Sequence, residues 1–224
     1  MSSTLWRARR RGERPVIYGR DRERAQLREL LDDAIAGHGS LVLISGEAGI
    51  GKTTLVDDLI HEAEERDCLV LTGGCYDLTT TPPYGPWAEM LRGYRPGDGD
   101  PPLPAWFRNP EELEKVGSQA ALFEETASFF ASVATGQPLV VVLEDLHWSD
   151  DASLEALRHL ARHVHASPIL MVATYREDEI TRRHILYQVL PLVIRESDDS
   201  GFRSVISMPA RSGLLSSTIS SGRG

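Results

Sequence analysis

The stretch Gly46-Glu47-Ala48-Gly49-Ile50-Gly51-Lys52-Thr53 stands between a short apolar run, Ser40-Leu41-Val42-Leu43-Ile44-Ser45, and a segment with Leu55, Val56, Leu59, Ile60 and Ala63 at helical spacing. It fits the pattern G-x-x-x-x-G-K-[ST], in which each fixed position has a mechanical task. The glycines let the backbone curl so that consecutive N–H groups point inward at a phosphate. Lys52 reaches the β- and γ-phosphates, and the Thr53 hydroxyl can ligate Mg²⁺. The following helix adds its positive N-terminal end. Gly46, Gly49, Ile50, Gly51, Lys52, Thr53 and Thr54 are therefore the expected nucleotide contacts. The competing reading is a degenerate loop that keeps only the fold.

Outward from the loop, periodicity alternates between helix and strand. Leu27, Leu30, Leu31, Ala34 and Ile35 predict a helix over 20–37 that Gly37 can end. A helix over 53–66 leads to a strand at Cys68–Gly73, and this strand–loop–helix–strand order requires a crossover and hence parallel strands. A helix over 118–135 precedes Leu139-Val140-Val141-Val142-Leu143, a β-branched run of the kind buried on both faces of a parallel sheet. Then come a helix over 151–164, a strand at Ile169–Thr174, a helix over 182–195 that Pro191 should interrupt or bend, and a marginal fifth strand at 202–208. The expected fold is an α/β P-loop NTPase, a three-layer α/β/α sandwich on a mainly parallel five-stranded sheet.

Three segments fall outside that regularity. Residues 1–14 form an arginine-rich arm, read either as a solvated disordered tail or as a weak contact with nucleic acid or a partner. Residues 74–115, inside the core at 15–208, form a Pro/Gly-rich insertion. It has a short helix near Trp87–Leu91, and its stretch from Gly93 to Pro110 is expected to hold no regular element. Trp106 and Phe107 in that stretch should pin it to the body. Residues 209–224 are Ser/Gly/Arg-rich and read as a disordered tail.

At 224 residues and 41% hydrophobic, the chain can bury one sizeable core. A net charge of −9 argues against direct DNA contact or anionic-lipid binding by this segment as a whole. No apolar stretch is long enough for a membrane helix, and no signal sequence opens the chain. Cys68 and Cys75 have neither metal-knuckle nor C-x-x-C spacing, which fits a reducing cytoplasm.

A second chemical centre follows the apolar run at 139–143. Glu144 and Asp145 terminate it, at the carboxyl edge where open α/β sheets bind ligands. In phosphoryl-transfer sites one such carboxylate holds the metal shell and a neighbour orients water. Position assigns Glu144 to Mg²⁺, with Thr53, and Asp145 to the water. Lys52 offsets triphosphate charge that these carboxylates would otherwise repel, so Mg²⁺ dependence follows from the charges.

With both centres located, the chain resembles the nucleotide-binding core of the STAND ATPases, in the branch of large ATP-binding LuxR-type regulators and their AAA-like, origin-recognition-like relatives. The resemblance rests on Tyr18-Gly19-Arg20-Asp21, the loop at 46–53, Pro83-Tyr84-Gly85-Pro86-Trp87, Leu143-Glu144-Asp145-Leu146-His147-Trp148-Ser149-Asp150, and Ala173-Thr174-Tyr175-Arg176-Glu177-Asp178. It implies an ATP/ADP-binding switch that hydrolyses slowly, with Gly19 and Arg20 near the adenine and ribose. It further implies Arg176 as a sensor of the γ-phosphate and His147 and Trp148 as braces of the acidic loop. His159, His163 and His165 are expected to be solvated. The family's helical lid is expected to be absent, which suggests a truncated or frame-shifted gene. A protein partner or self-association stays open. The rival readings are a non-catalytic interaction or remnant domain and a small P-loop phosphotransferase; a GTPase would need an Asn-Lys-x-Asp string that does not occur.

Overall fold

The computed structural model describes residues 14–77, 83–108, 118–182, 184–198 and 204–208. Along them α1 (Asp21–Ile35) leads to β1 (Ser40–Gly46), and α2 (Lys52–Glu65) to β2 (Leu69–Gly74). Next come α3 (Gly85–Gly93), α4 (Ala105–Arg108), α5 (Gln119–Gly136) and β3 (Leu139–Glu144). A 3₁₀ turn (Leu146–Trp148), α6 (Asp151–Ala161), β4 (Ile169–Tyr175), α7 (Ile185–Asp198) and β5 (Ser204–Met208) follow. Residues 1–13 of the expected arm at 1–14, the tail at 209–224, and residues 78–82 and 109–117 of the insertion lie outside the described residues; Arg14, the last of the expected arm, is paired with Asp58 and Glu62 on the body.

The five strands form one sheet in the order β2-β3-β4-β1-β5, and every pairing is parallel. β1 lies between β4 and β5, with Ser40 opposite Leu170 and Ser45 opposite Tyr175. The α2 crossover therefore carries the chain past β4 and β3 before β2 begins. That order brings the ends of β1, β4 and β3 side by side.

Alternation along the strands makes three layers from two cores. Leu41 and Leu43 face α3–α7 together with Val141, Leu143, Met171 and Ala173. Val42 and Ile44 face α1 and α2 with Val140, Val142, Leu170 and Val172. Because both faces are covered, β1, β3 and β4 are buried from end to end. β2 approaches α3 so closely that a Cβ on Gly73 would lie 2.0 Å from the Pro86 carbonyl oxygen.

One expectation fails here and another fails in part. The stretch from Gly93 to Pro110 was expected to hold no element, yet it contains α4. No proline falls between Pro104 and Pro110, Glu125 accepts the Ala105 N–H at 2.7 Å, and Trp106 is buried with its Nε1–H on Thr126 Oγ1 at 3.2 Å. Trp106 also lies 5.9 Å from the Tyr84 ring, so it does fasten the segment to the body. Pro191 was expected to interrupt or bend its helix, and α7 runs through it without interruption. Leu186 and Val189, buried in the core, anchor α7 against the loss of one backbone hydrogen bond.

α1 is fastened to α2 by arginines on two buried carboxylates. Asp58 accepts from Arg14 Nε at 2.7 Å and Arg24 Nε at 2.8 Å. Glu62 accepts from Arg28 Nε at 2.7 Å, Arg66 Nη2 at 2.6 Å and Arg14 Nη2 at 3.1 Å. Burial pushes the Asp58 carboxyl up, but hydrogen bonds from Arg24 and Arg14 outweigh it and hold it below the usual range. The Arg28 hydrogen bond, against burial, does the same for Glu62. Both groups therefore contribute stability that is complete above about pH 4 and fades as pH falls through their lowered values. Asp58→Asn is expected to cost about 1–3 kcal/mol at neutral pH and to flatten the loss of stability below about pH 4. Urea unfolding at both pH values checks this; an unchanged slope contradicts it.

Candidate nucleotide-binding site

At the end of β1 the loop rises to α2 through Gly49 (φ 72°) and Gly51 (φ 102°), both in the left-handed region that favours glycine. Gly51 caps α2 with no side-chain hydrogen bond to the first turn, so the helix presents its leading amides without a side-chain acceptor. Ile50 packs on the α1/α2 core, which seats the turn on the body. Thr53 is exposed at the tip of α2 and Thr54 half-buried beside it.

Lys52 is buried, with Nζ donating to the carbonyl oxygens of Gly46 at 2.7 Å and Glu47 at 2.8 Å. Burial pushes its ammonium pKa down, with Asp145 opposing and Arg176 adding to the fall. The loop thus keeps its cation folded inward on its own carbonyls, within electrostatic reach of Asp145 and Arg176 after β3 and β4.

Those groups form a linked set. Glu144 ends β3 as a buried carboxylate, and its carbonyl oxygen accepts from Cys75 N–H at 2.9 Å. Asp145 takes up φ 58° and donates its N–H to Thr174 Oγ1 on β4 at 3.0 Å. A left-handed aspartate costs roughly 1–3 kcal/mol and survives where its surroundings over-determine it. Here it turns a partly exposed carboxylate to within 4.0 Å of Arg176 Nε. Arg176 also pairs with Glu179, which raises its pKa. Glu177 accepts from Ser45 Oγ, tying the exit of β4 to the exit of β1.

His147 is buried between these acids, Nδ1 3.9 Å from Asp145 Oδ1 and Nε2 3.5 Å from Glu179 Oε2, with neither nitrogen hydrogen-bonded. Its carbonyl oxygen accepts from His184 Nε2 at 2.9 Å. Burial pushes its pKa down, against Asp145 and Glu179.

Of the residues expected from sequence, Asp145 and Arg176 approach to 4.0 Å, Lys52 feels the charge of both, and Glu144 stands at the same edge. Gly19 and Arg20 open α1, where Arg20 pairs with Glu23 at 3.0 Å. The core joins that segment to the loop, since Ile17 and Ile50 pack on the same cluster. Sequence reasoning missed Thr174, Glu177, Glu179 and Ser45. Their one available signal was polar residues ending apolar strands.

Residues 16–172 match the AAA ATPase domain family. The chain belongs to that family. This AAA ATPase-type, P-loop nucleotide-binding domain is 26% identical over 194 residues to an uncharacterized protein of Rhizobium meliloti (strain 1021), covering 71% of this chain and 18% of that protein. The chain thus spans under a fifth of that relative's length. Among solved structures, the ORC1 protein of Aeropyrum pernix in complex with DNA is similar with a TM-score of 0.53 at 16% identity. That match covers 87% of this chain and 46% of that one. The Walker-type ATPase of Pyrococcus abyssi gives a TM-score of 0.50 at 16% identity, over 86% and 53% of the two chains. Both likenesses concern the fold. Among the described residues, no helix is long and apolar enough to cross a membrane.

Because the folded pKa of His147 lies below the ordinary value near 6.5, its contribution to stability is complete above about pH 6.5 and is lost as pH falls through the lowered value. His147→Phe is expected to remove part of the acid sensitivity between about pH 6.5 and 5. Thermal unfolding across that range reads it out; parallel curves for the two proteins contradict it.

Proposed function

We propose that this AAA ATPase domain is an ATP/ADP-binding, slowly hydrolysing switch module of a signalling or transcription-regulating ATPase of the STAND, LuxR-type kind. The observation that carries this reading is the convergence of Lys52, Asp145 and Arg176 at one sheet edge, beside helix amides with no side-chain cap. An anionic phosphate tail suits that edge. It can accept from the leading amides of α2 and draw Lys52 Nζ off the carbonyls of Gly46 and Glu47. In this reading a γ-phosphate competes with Glu179 for the Arg176 guanidinium, which would make the pair responsive to the difference between ATP and ADP.

Mg²⁺ fits the donors present, since the Thr53 hydroxyl and the Glu144 and Asp145 carboxylates are hard oxygen ligands. Thr53 and Glu144 would hold it, and its charge would screen the triphosphate from the two acids. Asp145, partly exposed and set beside Arg176, is the group to orient an attacking water. Its short side chain and its engagement with Arg176 favour slow turnover. The strings Leu143–Asp150 and Ala173–Asp178 support the finer placement among LuxR-type regulators.

Saturating Mg²⁺–ATP, at about 100 times Kd, should stabilise the fold by about 2.7 kcal/mol. That corresponds to roughly 5–10 °C in melting temperature for a domain of this size. Lys52→Ala is expected to abolish the shift. No shift at millimolar nucleotide, or an undiminished shift in Lys52→Ala, overturns the reading. Steady-state phosphate release, expected to be slow in the wild type and at least about tenfold slower in Asp145→Ala, separates turnover from binding.

A further inference from the structure

The far end of α6 carries chemistry that nucleotide binding does not use. α6 has 11 residues and so spans about 16 Å, with its N-terminus capped by Asp150 next to the acidic loop. At its other end His159 and His163, one turn apart, face Glu124 of α5. Sequence reasoning expected these histidines to be solvated, and for His159 that fails. Its side chain is 18% exposed, its ring lies 5.4 Å from Phe123, and Nε2 is 3.1 Å from Glu124 Oε1. His163 Nε2 lies 4.0 Å from the same oxygen. Among the described residues, this is the one cluster of three or more His, Cys, Asp or Glu side chains whose donor atoms all lie within 4.8 Å of one another.

We propose that Glu124, His159 and His163 form a site for a borderline divalent cation, Zn²⁺, that clips α5 to α6. Two imidazoles and a carboxylate are a donor set suited to zinc, with further positions left to water. Bonds of about 2.0–2.1 Å in tetrahedral geometry put ligand atoms roughly 3.3–3.5 Å apart. The separations of 3.1 and 4.0 Å bracket that value, so small side-chain rotations close the site.

The His163 donor is already in the right form. His163 Nδ1 lies 2.9 Å from the carbonyl oxygen of His159, and a carbonyl can only accept. Nδ1 therefore carries the proton, and the Nε2 lone pair faces Glu124, the outer hydrogen bond that fixes a metal-binding tautomer. For His159, burial and then the neighbouring His163 push the pKa down, with Glu124 opposing and Arg162 adding to the fall. His159 Nε2, 3.1 Å from the Glu124 carboxylate, donates to it, so Zn²⁺ binding there displaces that proton or moves it to Nδ1. Arg162 is the cation that works against the site, and Glu124 supplies the charge that offsets it.

Chelator-stripped full chain titrated with Zn²⁺ against a chromophoric chelator tests the proposal. The wild type should bind one equivalent at micromolar or tighter affinity, with a rise in melting temperature. His163→Ala and Glu124→Ala should each weaken binding at least about tenfold and remove the rise, since both side chains are largely exposed and the fold should survive. His165→Ala, two residues on, should bind as the wild type does. Binding no tighter than millimolar, or binding that persists in His159→Gln/His163→Ala, overturns it. Lys52→Ala should leave Zn²⁺ binding intact, so failure here and failure of the nucleotide site are distinguishable.

Discussion

Because every strand of the sheet runs the same way, every strand ends on the same edge, and the chemistry of the domain depends on that constraint. The order β2-β3-β4-β1-β5 sets the phosphate loop after β1 next to Arg176 after β4, with the acids after β3 one strand further. No long-range loop is needed to gather them. The two cores on either side hold the edge rigid, since a strand buried on both faces cannot shift without moving both layers.

Within that frame the edge is cross-braced by short polar links rather than by packing. Thr174 receives the Asp145 amide and Glu177 receives the Ser45 hydroxyl, so β3, β4 and β1 are tied at their ends. Lys52, Arg176 and Asp145 are each held by groups that a bound polyphosphate would displace or rearrange. Under the proposed function such an arrangement would serve a switch, because a state with inward contacts and a state with ligand contacts would compete for the same side chains. The acidic loop continues directly into α6, so tying α6 to α5 by a cation would stiffen the element that presents Asp145.

Much of this was legible in the chain. The glycine spacing at 46–53 fixed the loop, since left-handed turns at Gly49 and Gly51 leave few other residues suitable. The unbroken apolar runs at 139–143 and 169–174 announced strands covered on both faces. Strand order was not legible, because periodicity records which face is buried and not which strand lies alongside. For the same reason Thr174 and Glu177 looked like ordinary strand-end residues until their partners on β3 and β1 were located. α4 was hidden by the prolines around it, and its stability comes from Trp106 seated on Tyr84 and Thr126. His159 read as a surface histidine because helical spacing shows neither Phe123 nor Glu124, which arrive from another helix.

The most direct measurement is a crystal structure of the domain grown with Mg²⁺ and a non-hydrolysable ATP analogue. The phosphates are expected within hydrogen-bond distance of the backbone amides at 49–53, with Lys52 Nζ withdrawn from the carbonyls of Gly46 and Glu47 and turned to the ligand. A nucleotide bound elsewhere, with Lys52 still folded onto those carbonyls, would contradict a phosphate site at this edge.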